Sequence, residues 1–72
     1  MNLTPQRVRE LKQRVVAALS KTRELSRHAL QYKPGVKLHS KEQNTILLEL
    51  EADGKIVIRR RSDGAWFVRL AS

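Results

Sequence analysis

The stretch Leu50–Val68, LEADGKIVIRRRSDGAWFV, decides the fold of this 72-residue chain. A helix-like segment ends at Asp53-Gly54, and glycine readily takes the left-handed conformation that ends a helix. A β-branched segment, three consecutive arginines, a Ser-Asp-Gly turn and an aromatic segment follow. This order predicts a helix and then a β-hairpin over about residues 55–70. Because an isolated hairpin is only marginally stable in water, it needs a hydrophobic support.

The burial pattern predicts the register of the hairpin. A two-residue turn at Asp63-Gly64 would pair Ile58 with Arg69 and mix polar and apolar side chains on both faces. A three-residue connection over residues 62–64, with the glycine in the left-handed position, separates them. One face then carries Ile56, Ile58, Val68 and Leu70, extended by Trp66, and the other carries Val57, Arg59, Arg61, Phe67 and Arg69. We therefore predict the three-residue connection.

Two helices are predicted in the first half of the chain. Thr4 is a good N-cap and Pro5 suits the first helical position, so helix 1 is placed at about residues 5–19. Its apolar side chains recur at helical spacing. They are Val8, Leu11, Val15, Ala18 and Leu19. Thr22 is the predicted cap of helix 2, at about residues 23–32, which Pro34-Gly35 ends.

Helix 3 is predicted at about residues 40–52. Ser40 and Gln43 match a capping box, in which each side chain binds the other residue's backbone N–H. The predicted buried face comprises Ile46, Leu47 and Leu50, and the exposed face comprises Lys41, Asn44, Thr45 and Leu48. The preceding turn contains Val36 and Leu38, which we expect to fold back onto the core.

Composition narrows the function classes. The chain has no cysteine, and its two histidines lack nearby acidic partners, so neither a disulfide nor a metal site is expected. It contains no paired carboxylates in an apolar setting, no nucleophile beside a base and no Gly-rich phosphate loop. We therefore expect a non-enzyme without cofactor or small-molecule substrate. The apolar segments are too short for a membrane span and the beginning of the chain is polar, which predicts a cytoplasmic protein.

The charge points to nucleic acid as the partner. The formal net charge is +8, which is large for one small domain. Residues 1–33 contain eight basic and two acidic side chains, residues 34–54 two and four, and residues 55–72 five and one. The positive charge is therefore concentrated at the two ends of the sequence, where helix 1 and the hairpin are predicted.

Three helices followed by a two-stranded hairpin, in this order and at these lengths, resemble the winged helix-turn-helix superfamily of DNA-binding domains. The segment Thr22–Ser26 resembles the start of the family's second helix, and Leu38-His39-Ser40 resembles the turn into its recognition helix. The pattern Ile46-Leu47-x-x-Leu50-x-x-x-Gly54-x-Ile56 is similar to the end of that helix and the entry to the wing. The resemblance implies a single α+β domain over residues 1–72, with the hairpin as its wing.

The resemblance also implies a division of roles. Helix 3 would enter the major groove of duplex DNA, where asparagine can read adenine and threonine can contact thymine. The implied base-reading residues are Ser40, Lys41, Asn44 and Thr45. The implied backbone-contacting residues are Arg59, Arg60 and Arg61 of the wing and Arg7 and Arg14 of helix 1, with stacking on Trp66 as the alternative for Arg60. The predicted function is sequence-specific duplex DNA binding by a small transcriptional regulator, associated with the nucleoid.

A second interpretation stays open beside DNA reading. Winged helices also serve as protein-interaction adaptors or homodimerising modules. The acids Glu49, Glu51 and Asp53 at the far end of helix 3 would repel phosphate, and Leu48, Val57 and Phe67 are candidates for an exposed apolar surface. The operator sequence, repression versus activation, DNA versus RNA and the oligomeric state also stay open.

Overall fold

A computed structural model describes residues 4–71 and has a mixed α+β architecture. Three helices surround one face of a three-stranded antiparallel sheet with strand order β1-β3-β2. In chain order the elements are α1 (Pro5–Lys21), β1 (Leu25–Ser26), α2 (Arg27–Tyr32), α3 (Ser40–Ala52), β2 (Ile56–Arg60) and β3 (Trp66–Leu70). The predicted α+β class is confirmed at this level, and β1 is a strand that the sequence did not lead us to expect.

Helix α1 begins as predicted and ends two residues later than expected. The Thr4 Oγ1 accepts a hydrogen bond from the Arg7 N–H at 3.1 Å, and Pro5 occupies the first turn, where a missing N–H costs nothing. The buried face of α1 comprises Leu11, Val15, Ala18 and Leu19.

The predicted start of helix 2 at residue 23 is wrong. Leu25 pairs with Val68 and Ser26 with Phe67, so this segment is the short strand β1. The Ser26 Oγ, rather than that of Thr22, caps α2 by accepting the Ala29 N–H at 3.0 Å. The extended conformation is favoured over the helix because it pairs the backbone N–H and C=O groups with those along the edge of β3. It also packs Leu25 against the core.

Helix α3 begins at Ser40 as predicted, but the Ser40–Gln43 capping box is wrong. The N-cap position is His39, whose backbone N–H donates to the Glu42 Oε1 at 3.3 Å. The Gln43 side chain is buried and donates instead to the Gln31 Oε1 and to the Leu38 carbonyl oxygen. An ionised carboxylate is the stronger acceptor for an unpaired helical N–H, which favours Glu42 over Gln43 in the capping role.

The hairpin has the predicted register. Ile56 pairs with Leu70 and Ile58 with Val68, while Arg60 pairs with Trp66. The Arg61 N–H donates to the Ala65 carbonyl at 2.9 Å, and Gly64 has φ of +89°, which confirms the three-residue connection.

The sheet therefore has an inner face, which packs on the helices, and an outer face, which does not. The inner face carries Ile56, Ile58 and Val68, which are buried, and Leu70 and Trp66, which are partly buried against the core. Val36 and Leu38 also fold into the core, as predicted from the turn. Among residues 4–71 no helix has the length and apolar character needed to cross a bilayer.

Candidate nucleic-acid interface

The exposed face of α3 has the composition that the sequence predicts. Its residues Ser40, Lys41, Asn44 and Thr45 are all exposed, and they lie opposite the buried Ile46, Leu47 and Leu50. Leu48 is 43% exposed on the same side as Asn44, one helical turn further along. This face presents a cation, a carboxamide and two hydroxyls to solvent.

The three hairpin arginines, Arg59, Arg60 and Arg61, each pair with an acid. A guanidinium nitrogen of Arg59 lies 3.2 Å from the Glu24 Oε1, and one of Arg61 lies 3.6 Å from the Asp63 Oδ2. Arg60 binds both carboxylate oxygens of Glu51, at 3.1 and 3.3 Å. All three pairs are partly exposed, so each contributes only about 0–1 kcal/mol to stability.

Trp66 joins the hairpin to the helices. The guanidinium carbon of Arg60 lies 4.8 Å from the indole centroid, and that of Arg27, at the start of α2, lies 4.5 Å from it. Arg27 also donates a hydrogen bond to the Asn44 Oδ1 at 3.0 Å. Of these contacts, only the stacking of Arg60 on Trp66 is expected from the sequence. The structure thus brings the start of α2, the exposed face of α3 and the hairpin into one surface.

Sequence reasoning missed Arg27 as a member of this surface. The predicted helix 2 placed it in the middle of a helix, with no relation to the hairpin. A cue was present at Ser26, which is itself a good N-cap residue. A helix that starts after Ser26 puts Arg27 in its first position, beside the end of β1 and next to Trp66 in the adjacent strand.

Three of the five basic side chains of α1 are also paired. Arg7 contacts the buried carboxylate of Glu42 at 3.4 Å, and Arg14 binds Glu10 one turn earlier in the same helix. Lys12 lies 3.2 Å from both Glu49 and Asp53. Hydrogen bonds to Glu49 and then to Asp53 raise the pKa of Lys12 above its ordinary value. The role of Arg7 and Arg14 in binding phosphate stays a prediction.

All seven acidic residues of the chain take part in these ion pairs. Six of the 15 basic residues are their partners, and within residues 4–71 the other nine make no ion pair. These nine are Arg9, Lys21, Arg23, Arg27, Lys33, Lys37, Lys41, Lys55 and Arg69. The net charge of +8 is therefore carried largely by side chains outside the arginine run.

Within residues 4–71 no three or more His, Asp or Glu side chains come together as a group that could hold a metal ion. Comparison of the chain with protein-family models, curated proteins and solved structures found no match. The function of the chain therefore has to be inferred from its own fold and surface chemistry.

Proposed function

We propose that this protein is a winged helix-turn-helix domain that binds duplex DNA sequence-specifically and acts as a small transcriptional regulator. Support comes from three helices followed by a hairpin in the order typical of that superfamily. The exposed polar face of α3 and the basic hairpin beside it add to that support. On this proposal α3 is the recognition helix and β2–β3 is the wing.

The observation that carries the proposal is the link from Asn44 through Arg27 to Trp66 and Arg60. It connects the helix that would read bases with the hairpin that would bind the backbone. Phosphate contacts position a protein on DNA, whereas base contacts provide specificity. A surface that holds both kinds of group in a fixed relation suits sequence-specific binding.

The chemistry of Asn44 suits adenine. A carboxamide reads adenine by accepting from N6–H and donating to N7. Arg27 donates to Oδ1, which has a second lone pair for the adenine N6–H, and this hydrogen bond orients the NH₂ group of Asn44 away from Arg27. Lys41 and Ser40 lie in the first turn of α3, where backbone N–H groups attract phosphate.

A protein-interaction adaptor is the second candidate function. The observation that favours it is the exposure of Leu48 at 43% on the face of α3 that also carries Asn44, together with Val57 at 38% on the outer face of the sheet. The pairing of all three hairpin arginines with acids also lowers the positive potential that a phosphate would meet.

Three variants test the proposal against the adaptor. Asn44→Ala should lower the preference for the cognate site by about 1–3 kcal/mol and leave the salt dependence of binding unchanged. Arg59→Ala/Arg61→Ala should weaken binding to all duplexes and flatten the slope of log affinity against log salt by about one unit for each phosphate no longer bound. Gln13→Ala removes an exposed carboxamide from α1 and is the matched control for Asn44→Ala.

Fluorescence anisotropy with a selected duplex and a scrambled duplex, at about 50 mM and about 200 mM salt, measures these effects. Absence of salt-dependent binding by the unmodified protein contradicts the DNA function and leaves the adaptor. Equal losses for both sets of variants, without a change in site preference, would mean that the protein coats DNA without reading it.

A further inference from the structure

A cleft of about 780 Å³ lies between the end of α1 and the hairpin. One wall is formed by the end of α1 and the segment that follows it, residues 19–24. The other wall is formed by Arg59, Arg69 and Leu70 of the hairpin. The walls are distant in sequence, and antiparallel pairing of β1 with β3 brings them together.

The cleft is strongly basic. It is lined by Lys21, Arg23, Arg59 and Arg69, against the single acid Glu24. That acid already pairs with Arg59. Lys21, Arg23 and Arg69 are exposed and belong to the set that makes no ion pair within residues 4–71. Three cations therefore face one cleft without an ion pair to any acid of residues 4–71.

The cleft is separate from the α3 surface. Arg59 and Arg69 adjoin the buried Ile58 and Val68, so they project from the outer face of the sheet, whereas α3 packs on the inner face. Arg69 and Trp66 lie near opposite ends of β3, which is about 13 Å long at the usual rise per residue. The lining of the cleft contains no residue of α3, and Arg59 is the one lining residue that the proposed function also assigns to the first duplex.

The lining selects a phosphate-bearing polymer rather than a small molecule. Guanidinium groups bind phosphate oxygens bidentately, and the cleft has three of them with one ammonium. Small-molecule sites are instead mostly apolar with a few polar groups. The volume also exceeds what a single phosphate group occupies, which suits a length of sugar–phosphate backbone.

We propose that this basic cleft is a second phosphate-binding site, which holds the backbone of a second duplex, so that one protein molecule bridges two DNA segments. Binding in the cleft is independent of sequence, because it involves phosphate only. The bridging rests on the proposed function for its first duplex, whereas the phosphate site of the cleft does not.

A bead-capture assay tests the bridge. A biotinylated duplex with the preferred site is fixed on beads, the full chain is added, and capture of a labelled duplex of unrelated sequence is measured at low salt. Arg23→Ala/Arg69→Ala removes two cleft cations, and Arg9→Ala/Lys55→Ala removes the same charge outside the cleft as the control. Circular dichroism verifies that both variants fold, and sedimentation identifies bridging that arises from a dimer.

The unmodified protein and the control should capture the labelled duplex. The cleft variant should capture at least tenfold less, while its affinity for the fixed duplex stays within about twofold of the control's. Capture by the cleft variant equal to that by the control, or no capture by an unmodified protein that binds one duplex, would overturn the bridge. So would release of the labelled duplex by inorganic phosphate at matched phosphate concentration, since the site would then take free phosphate.

The two proposals fail in different ways. If Asn44→Ala has no effect on site preference but the cleft variant still loses salt-dependent binding to duplex DNA, the recognition function fails and the phosphate site stands. If site preference depends on Asn44 and the cleft variant behaves as the control, the recognition function stands and the cleft proposal fails.

Discussion

The hairpin arginines and the cations of the basic cleft have the same charge but different neighbours. Each hairpin arginine has an acid within 3.6 Å, contributed by the segment before β1, by α3 or by the turn. Lys21, Arg23 and Arg69 have none within residues 4–71. The difference teaches that a run of arginines in a sequence does not mark where positive charge is least compensated.

The contrast has a physical origin in how the basic residues are spaced along the sequence. Three consecutive cations repel one another, and acids on neighbouring elements relieve that repulsion. The cations of the cleft come from two separate segments of the sequence, and only folding brings these segments together. Since exposed pairs are worth about 0–1 kcal/mol each, the hairpin arginines remain able to exchange a carboxylate for a phosphate.

The largest expected effect comes from removing the support that both basic surfaces share. Ile58 is 7% exposed on the inner face, next in sequence to Arg59. Ile58→Ala should lower the free energy of unfolding by about 2–5 kcal/mol, because it leaves a cavity in the core. Val57→Ala, on the outer face of the same strand, is the control and should change it by less than about 0.5 kcal/mol. Urea denaturation measures both, and equal losses would contradict the assigned faces.

The success with the hairpin and the failure with helix 2 have one explanation. Alternation over residues 56–70 depends on local side chains, so the sequence alone specifies the register. Whether Leu25 is helical or extended depends on pairing with Val68, which lies 43 positions later. Local propensity cannot decide where such a helix begins when both Thr22 and Ser26 are good N-cap residues.

The candidate site shows the same limit. The exposed face of α3 follows from helical periodicity, so Asn44 and Thr45 were predicted correctly as exposed. The partners of the hairpin arginines come mostly from other elements, with Glu24 lying 35 positions from Arg59. The two walls of the cleft are also far apart in sequence. No local pattern in the sequence indicates these contacts.

A smaller effect on stability is expected from the acids, and it should be larger for a buried acid than for one near the surface. Glu42 is 3% exposed, pairs with Arg7 and accepts the His39 N–H, whereas Glu51 makes its pair with Arg60 near the surface. Glu42→Ala should cost about 1–2 kcal/mol, because it removes the acceptor at the start of α3. Glu51→Ala is the comparison and should cost less than about 1 kcal/mol. Thermal unfolding at neutral pH measures both losses of stability. A larger loss for Glu51→Ala than for Glu42→Ala would contradict the prediction.

Removing the acid that pairs with a hairpin arginine should leave that arginine without an ion pair, like the cations of the cleft. Glu51→Gln removes the charge that Arg60 faces and keeps the size of the side chain. We expect duplex affinity to rise by up to about fivefold, the equivalent of an exposed ion pair. The salt slope should steepen by about one unit if Arg60 then contacts phosphate. Glu10→Gln, which releases Arg14 on α1, is the control, and unchanged affinity for Glu51→Gln would place Arg60 outside the interface.

The smallest effect concerns pH. Hydrogen bonds to Glu49 and Asp53 raise the pKa of Lys12 above its ordinary value of 10.5. A pKa raised by folding stabilises the folded state at pH below 10.5, and this contribution is lost as pH rises through the higher folded value. Stability should therefore decline above about pH 10.5, and less steeply in Lys12→Met. Urea titrations between about pH 9 and about pH 12 compare the slopes, and identical slopes would contradict the shift.

The central position of β3 has a consequence for how the chain folds. The sheet order β1-β3-β2 makes the last strand in sequence the one on which both others pair. During synthesis neither β1 nor β2 can pair with β3 until residues 66–70 have been made, so α1 and β1 stay without their partner strand until then. Pairing over such a separation slows folding because loop closure precedes the contacts that stabilise it. The domain should thus form late and in one cooperative step, with no stable N-terminal half.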